Sequence, residues 1–247
     1  MNIVVLAGGL STEREVSFQS GDMVARALRS RGHNVLLLDV FLGYMDEETD
    51  ISDIFEQTEE ASVKVGEITG EVPDLAAVKA SRKDRSDCFF GPNVIAICRK
   101  ADVVFLALHG EDGENGKLQA AFDLHGIRYT GNGYLGCALA MDKGLSKEFF
   151  RHHGIPTPDG FVLQKHREVR EPEHYPCVVK PVCGGSSIGV TIVTESASYQ
   201  KALEEAFRWE DEVVVEEYIR GREFSVGVIE GKALPVIEIE PLEGFYD

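Results

Sequence analysis

"NIVVLAGG" (Asn2–Gly9) is a continuous apolar run closed by two glycines. "LSTEREVSFQSGDMVARALRSRG" (Leu10–Gly32) follows it with Val16, Met23, Val24, Ala27 and Leu28 at helical spacing. Gly32 stops that helix, and "HNVLLLDV" (His33–Val40) supplies a second uninterrupted apolar run. Runs with no in-out alternation are buried on both faces, so the opening is a βαβ unit with a parallel sheet. "ADVVFLALHG" (Ala101–Gly110) reads as a third buried strand, "KLQAAFDLHG" (Lys117–Gly126) as a short helix and "IRYTG" (Ile127–Gly131) as another strand. In open α/β sheets ligands sit at the carboxyl ends of strands, which predicts a crevice shared by Gly8–Glu15 and His109–Gly116.

The composition narrows the function. Against 25 basic residues stand 42 acidic ones, a formal charge of −17, which repels nucleic acid and anionic membrane and offers no basic stripe. Much of the acid lies in Met45–Asp74, continuing to about Asp87, and reads as a solvated surface insertion. Five cysteines, Cys88, Cys98, Cys137, Cys177 and Cys183, form no C-x-x-C pair and leave one over, which fits a reducing cytoplasm better than a disulfide framework or a zinc site. "MNIVVLAGG" is too short and lacks the basic region of a signal peptide, and no run approaches the length of a membrane span.

Composition changes near Gly131–Gly133, where a domain boundary is expected. Beyond it, "GFVLQ", "YPCVVKPV", "GVTIVT", "DEVVVEEYI", "REFSVGVIEG" and "KALPVIEIEP" read as short strands, with one helix in "SYQKALEEAFRW" and a hairpin turned at "EGK". "VVKPVCGGSSIGV" (Val178–Val190) has neither P-loop nor dinucleotide spacing. Even so, Gly184 and Gly185 let backbone N–H groups approach an anion, Ser186 and Ser187 add hydroxyl donors, and Lys180 can reach a phosphate. The competing reading is a plain turn. Lys143 opens a helix of the second domain, where an exposed lysine is the bland reading. Glu216, Glu217 and Glu223, with Tyr218, sit where an apolar strand passes into a connection, either as solvated charge or as groups reading an adenine and a ribose. In the first turn Ser11 is expected to cap the helix, while Glu13 is placed to hold an ammonium. His109 at a strand end beside glycines and carboxylates holds a typical site position.

Taken in order, "AGGLSTEREVSFQSG", "LHGEDGENGKLQA", "YTGNGYLGCALAMDK", "CVVKPVCGGSSIGV" and "VEEYIRGREFSVGV" resemble the motifs of the D-alanine:D-alanine ligase family of the ATP-grasp superfamily. The resemblance spans nearly all of the chain apart from the acidic insertion. It implies a Rossmann-like α/β domain over 1–132, an ATP-grasp central lobe over 133–216, and the start of a C-terminal lobe over 217–247. The implied reaction is ATP-dependent ligation of D-alanine to a second D-alanine through a D-alanyl phosphate, for peptidoglycan precursor synthesis. D-serine and D-lactate remain alternative second substrates, and a noncatalytic nucleotide-binding remnant is an alternative of another class.

By position, Glu13 and Ser186 match catalytic groups on the first D-alanine, with His109 and Glu114 beside it. Lys143, Lys180, Gly185, Ser186 and Ser187 match the phosphate site. Glu216 matches the group facing the adenine amino group, Glu217 and Ile219 the backbone near the base, Tyr218 the residue packing on it, and Glu223 the ribose ligand. Magnesium and oxyanion ligands of the family are expected beyond Asp247, so a truncated form, inactive alone, is expected from "FYD" at Phe245–Asp247. The family further implies a cytoplasmic homodimer. Two departures are Asn115 in place of a carboxylate in the second motif and Cys183-Gly184 ahead of Gly185.

Overall fold

The computed structural model describes residues 1–66, 73–185 and 188–240. They form two compact units, Met1–Met141 and Asp142–Asp247.

The first unit runs β1 (Asn2–Ala7), α1 (Arg14–Arg29), β2 (Asn34–Asp39), α2 (Thr58–Ala61), α3 (Leu75–Ser81), α4 (Val94–Lys100), β3 (Val103–Leu106), α5 (Glu111–Glu114), α6 (Lys117–His125) and α7 (Tyr134–Met141). The three strands form a parallel sheet in the order β2-β1-β3, in register from Asn2 opposite Asn34 to Ala7 opposite Asp39. Successive side chains point to opposite faces. Val4, Leu6, Leu36 and Leu38 therefore meet Val94, Ile97, Leu118 and Phe122 on one side, while Ile3, Val5, Val35 and Leu37 meet Ala25 on the other. Burying each such leucine is worth about 1.5–3 kcal/mol, so two covered faces rather than helix propensity hold the unit together. This is why the strands read as unbroken apolar runs.

Two expectations are corrected here. "IRYTG" is not a strand with a ladder of its own: one parallel bridge joins Val104 to Tyr129, with Val104 N donating to Arg128 O and Thr130 N to Val104 O. Four consecutive polar or turn-forming neighbours leave little apolar length to extend it. The acidic segment, of which 67–72 lie outside the described residues, is not merely solvated. Ile54 and Phe55 are buried in the main core, and Ala61 and Val78 pack against it. Ser62 Oγ accepts from Leu37 N at 3.0 Å and from Arg29 at 2.8 Å, and Val63 N donates to Leu37 O at 2.9 Å. The segment thus occupies the outer edge of β2 at Leu37, the place where an unpaired strand would otherwise attract another chain. Arg82 fastens its far end, donating to Phe90 O at 2.9 Å and lying 4.8 Å from the Phe41 ring centre.

The second unit runs α8 (Lys143–His152), β4 (Gly160–Gln164), β5 (Cys177–Pro181), β6 (Thr191–Val193), α9 (Tyr199–Ala206), β7 (Glu212–Glu217), β8 (Glu223–Ser225), β9 (Val228–Ile229), β10 (Lys232–Ala233) and β11 (Ile237–Ile239). An antiparallel sheet orders β4-β7-β5-β6. Val179, Val213 and Val215 face Ala202, Leu203 and Ala206 of α9, so the alternate residues Lys180, Val214 and Glu216 face the other way. The expected hairpin is present: β9 pairs with β10 across Glu230-Gly231, both at positive φ as a two-residue turn of this kind requires, and β8 pairs with β11 outside it.

Candidate functional site

At the carboxyl end of the parallel sheet, the turn after β1 is held by an internal clamp. Arg14 donates to Gly9 O at 2.5 Å and forms an ion pair with Asp39 at the end of β2. Their side chains are 9% and 2% exposed. Asp39 also accepts from Phe41 N at 2.9 Å and Leu42 N at 3.2 Å. Arg14 is thereby consumed within the fold. Ser17 adds a cross-tie, accepting from Gly8 N at 2.9 Å and donating to Ala107 O at 2.8 Å, which joins the tails of β1 and β3.

This scaffold places Glu13 at the N-cap of α1. Ser11 is not the helix cap expected of it: its hydroxyl accepts from Glu13 N at 3.0 Å, ahead of a helix that begins only at Arg14. A short turn closed by Arg14 N to Ser11 O intervenes and moves the helix start. Across from it, Gly110 has φ of +67°, and a Cβ there would stand 2.7 Å from Glu13 Oε2 and 2.9 Å from Ser11 Oγ. Glycine at this position is what lets the Glu13 carboxylate lie against the tail of β3. Gly110 N donates to Glu114 Oε2 at 2.8 Å, and Ser20 Oγ lies 3.1 Å from His109 Nε2. The structure therefore brings Glu13, His109 and Glu114 to one strand end. Asn115 uses both ends of its amide, donating to Asp112 Oδ1 at 3.0 Å and accepting from Lys117 N at 3.1 Å. Burial opposes ionisation of Asp112, but the hydrogen bonds from Lys117 and Asn115 prevail and hold its carboxyl below the usual range.

In the second unit, Asp142 caps α8 by accepting from Leu145 N at 2.8 Å, which sets Lys143 in the first turn. The Lys143 amine donates to Gly184 O at 2.9 Å and Val182 O at 3.2 Å, at the foot of the glycine-rich loop. Cys183 N donates to Glu210 Oε2 at 2.7 Å and anchors the same foot. Burial and the nearby Lys180 cation lower the Lys143 pKa, as an incoming anion would reverse. Burial, with Glu210 beside it, pushes the Cys183 thiol up to about 11, which keeps it protonated. Gly185 is exposed, whereas Ser186 and Ser187 lie outside the described residues.

Glu216 is shared by two lysines. Lys180 pairs with Oε1 and Lys147 with Oε2, the latter at 2.5 Å. Lys147 also donates to Pro158 O at 2.5 Å and Thr157 Oγ1 at 3.2 Å. Burial would raise the Glu216 carboxyl, but hydrogen bonds from Lys147 and Lys180 outweigh it and hold it low. Glu217 and Ile219 are exposed and Tyr218 half-buried along the connection leaving β7, and Glu223 is exposed at the start of β8. Sequence reasoning missed Lys147 and Glu210. The signal for Lys147 was its spacing of four from Lys143, which puts both amines on one face of α8.

A parallel sheet with carboxylates and a histidine at its strand ends, followed by an antiparallel sheet that gathers lysines under a glycine-rich loop, defines an α/β protein of the ATP-grasp class. Residues 2–132 match the family model described as D-ala D-ala ligase N-terminus and 149–247 that described as D-ala D-ala ligase C-terminus. The chain belongs to the D-alanine–D-alanine ligase family. It is 45% identical over its whole length to the D-alanine–D-alanine ligase of Pediococcus pentosaceus, covering 71% of that protein, and 43% identical to that of Lacticaseibacillus casei, covering 69%. Among solved structures, the Bacillus anthracis D-alanine–D-alanine ligase complexed with ATP superposes with a TM-score of 0.68 at 28% identity, over 99% of this chain and 68% of that one.

Proposed function

We propose that the chain acts as a D-alanine–D-alanine ligase, coupling ATP cleavage to joining of two D-alanines for peptidoglycan precursors. What supports it is a chain of this family that carries two lysines beside the glycine-rich loop of one unit, Lys143 and Lys180, and Glu13, His109 and Glu114 at a strand end of the other.

A carboxylate is a poor electrophile because oxide is a bad leaving group. In the first step a carboxylate oxygen of one D-alanine bonds to the γ-phosphorus as the bond to the ADP oxygen breaks. In the second, the amine of the other D-alanine forms the C–N bond, the C–O bond to phosphate breaks, and the amine sheds a proton. Lys143 and Lys180 oppose the charge on the phosphates, and exposed Gly185 with Ser186 and Ser187 would complete the loop over them. Glu13 would hold the ammonium of the first D-alanine, with His109, Glu114 and Ser186 around it. Glu216 would face the adenine amino group, the backbone of Glu217 and Ile219 the base edge, Tyr218 its face, and Glu223 the ribose.

Among the described residues no group of His, Cys, Asp and Glu converges as a metal ligand set. Among the described residues none is placed to hold magnesium. D-alanine is favoured over D-serine or D-lactate as second substrate by the names of the relatives. A cytoplasmic setting and a homodimer belong to the same reading. No described helix is long and apolar enough to cross a membrane.

The test is calorimetric titration of the 247-residue chain with ATP, and phosphate release with and without D-alanine from this chain completed to the length of its relatives. Binding of ATP and release that requires D-alanine are expected. Release indifferent to D-alanine would sink the ligase reading, and ATP binding without release would favour a nucleotide-binding role.

A further inference from the structure

We infer that Lys147 is a positioning residue that permanently holds one oxygen of Glu216, leaving the other to exchange between Lys180 and the nucleotide base. The inference rests on the ATP reading above and adds a division of labour within that site.

The two lysines are not equivalent. Lys147 is 7% exposed and its ammonium meets three acceptors, Glu216 Oε2, Pro158 O and Thr157 Oγ1. An ammonium has three donors, so all are used, and withdrawing it would strand a part-buried carbonyl and a carboxylate that is 10% exposed. Lys180 is 24% exposed, and its ion-pair partner is Glu216 Oε1. It is the penultimate residue of β5, one short of Pro181 and the loop that begins at Val182, so a phosphate bound at that loop competes with Glu216 for the same amine.

Exchange then has a defined geometry. Phosphate draws Lys180 away, Oε1 is vacated, and Oε2 stays fixed by Lys147. A carboxylate pinned through one oxygen presents the other as an aimed acceptor. An exocyclic amino group satisfies it, whereas a keto oxygen in the same place sets acceptor against acceptor and is rejected. Without Lys147 the carboxylate would follow Lys180 and lose that aim.

The experiment compares wild type, K147M, K147R, E216Q and K147M/E216Q for affinity toward ATP and inosine triphosphate, which carries a keto oxygen where ATP carries the amino group. Thermal melts of each variant fix a temperature at which all are folded. Wild type is expected to prefer ATP by about tenfold or more, the range of one hydrogen bond to a charged group. K147M should collapse that ratio toward unity, K147R should restore most of it, and K147M should change nothing further once Glu216 is Gln. Equal weakening of both nucleotides in K147M marks a merely structural lysine and overturns the inference.

If wild type binds neither nucleotide, the ATP reading itself fails. A carbon NMR titration of Glu216 in the ligand-free chain then decides the lysine assignment. K147M should raise the Glu216 midpoint more than K180M, and the reverse order overturns it.

Discussion

The Arg14–Asp39 clamp sets the geometry of the whole strand-end site, and its removal has a calculable cost. In Arg14→Met, Asp39 keeps the amides of Phe41 and Leu42 but loses its cation while remaining 2% exposed. Gly9 O loses its 2.5 Å donor, and Phe18 loses the guanidinium 4.9 Å from its ring centre. Breaking a buried pair from one side costs about 3–5 kcal/mol, because the abandoned charge stays buried. At roughly 2–4 °C per kcal/mol for a chain of this size, the melting temperature should fall by roughly 6–20 °C. In the double variant R14M/D39N the stranded charge is gone, and an Asn oxygen can still accept from the two amides, so about 1–3 kcal/mol should remain lost. Urea denaturation followed by circular dichroism measures all three energies. A loss under about 1 kcal/mol in R14M, or a double variant no more stable than R14M, would show that the pair is not what holds the turn.

Three further outcomes follow from the geometry. Gly110→Ala forces an L residue to φ of +67° and drives a methyl to 2.7 Å from Glu13 Oε2. It should cost about 1–3 kcal/mol in a melt and weaken D-alanine binding in a titration more than it weakens ATP binding. Glu216 has a depressed folded pKa, so its linked stability is complete above the unfolded carboxyl value and is lost as pH falls through the folded one. Wild type should therefore lose stability more steeply than E216Q between about pH 4.5 and its acid transition, and parallel curves would refute the assignment. Asn115→Asp turns a donor toward Asp112 into a like charge. It should destabilise by about 1 kcal/mol at low salt, with part recovered at 1 M salt, as thermal melts in the two buffers would record.

The parallel sheet was legible because strands covered on both faces must be apolar without interruption, and Val4 to Leu6 and Leu36 to Leu38 leave no other economical reading. The loop after β5 was legible by residue type. What stayed hidden was pairing. Nothing in one sequence says that Arg14 reaches Asp39 rather than solvent, or that Lys147 turns toward Glu216, because both depend on strands and helices brought together from distant positions. The acidic segment misled for a related reason. Ile54, Phe55, Val63 and Val65 are scattered among carboxylates, and such sparse apolar residues show no periodicity even though they pack against the cores.

That segment carries a consequence for engineering and for descent. Because Ser62 and Val63 occupy the outer backbone of β2 at Leu37, the acidic stretch is the selvedge of the sheet, finished so that the weave ends there. Trimming it to a short loop would leave Glu13, His109 and Glu114 in place while exposing a raw strand. The shortened protein would then be judged by what it sticks to rather than by how fast it turns over, and any lineage that lost the segment would need another way to hem that margin.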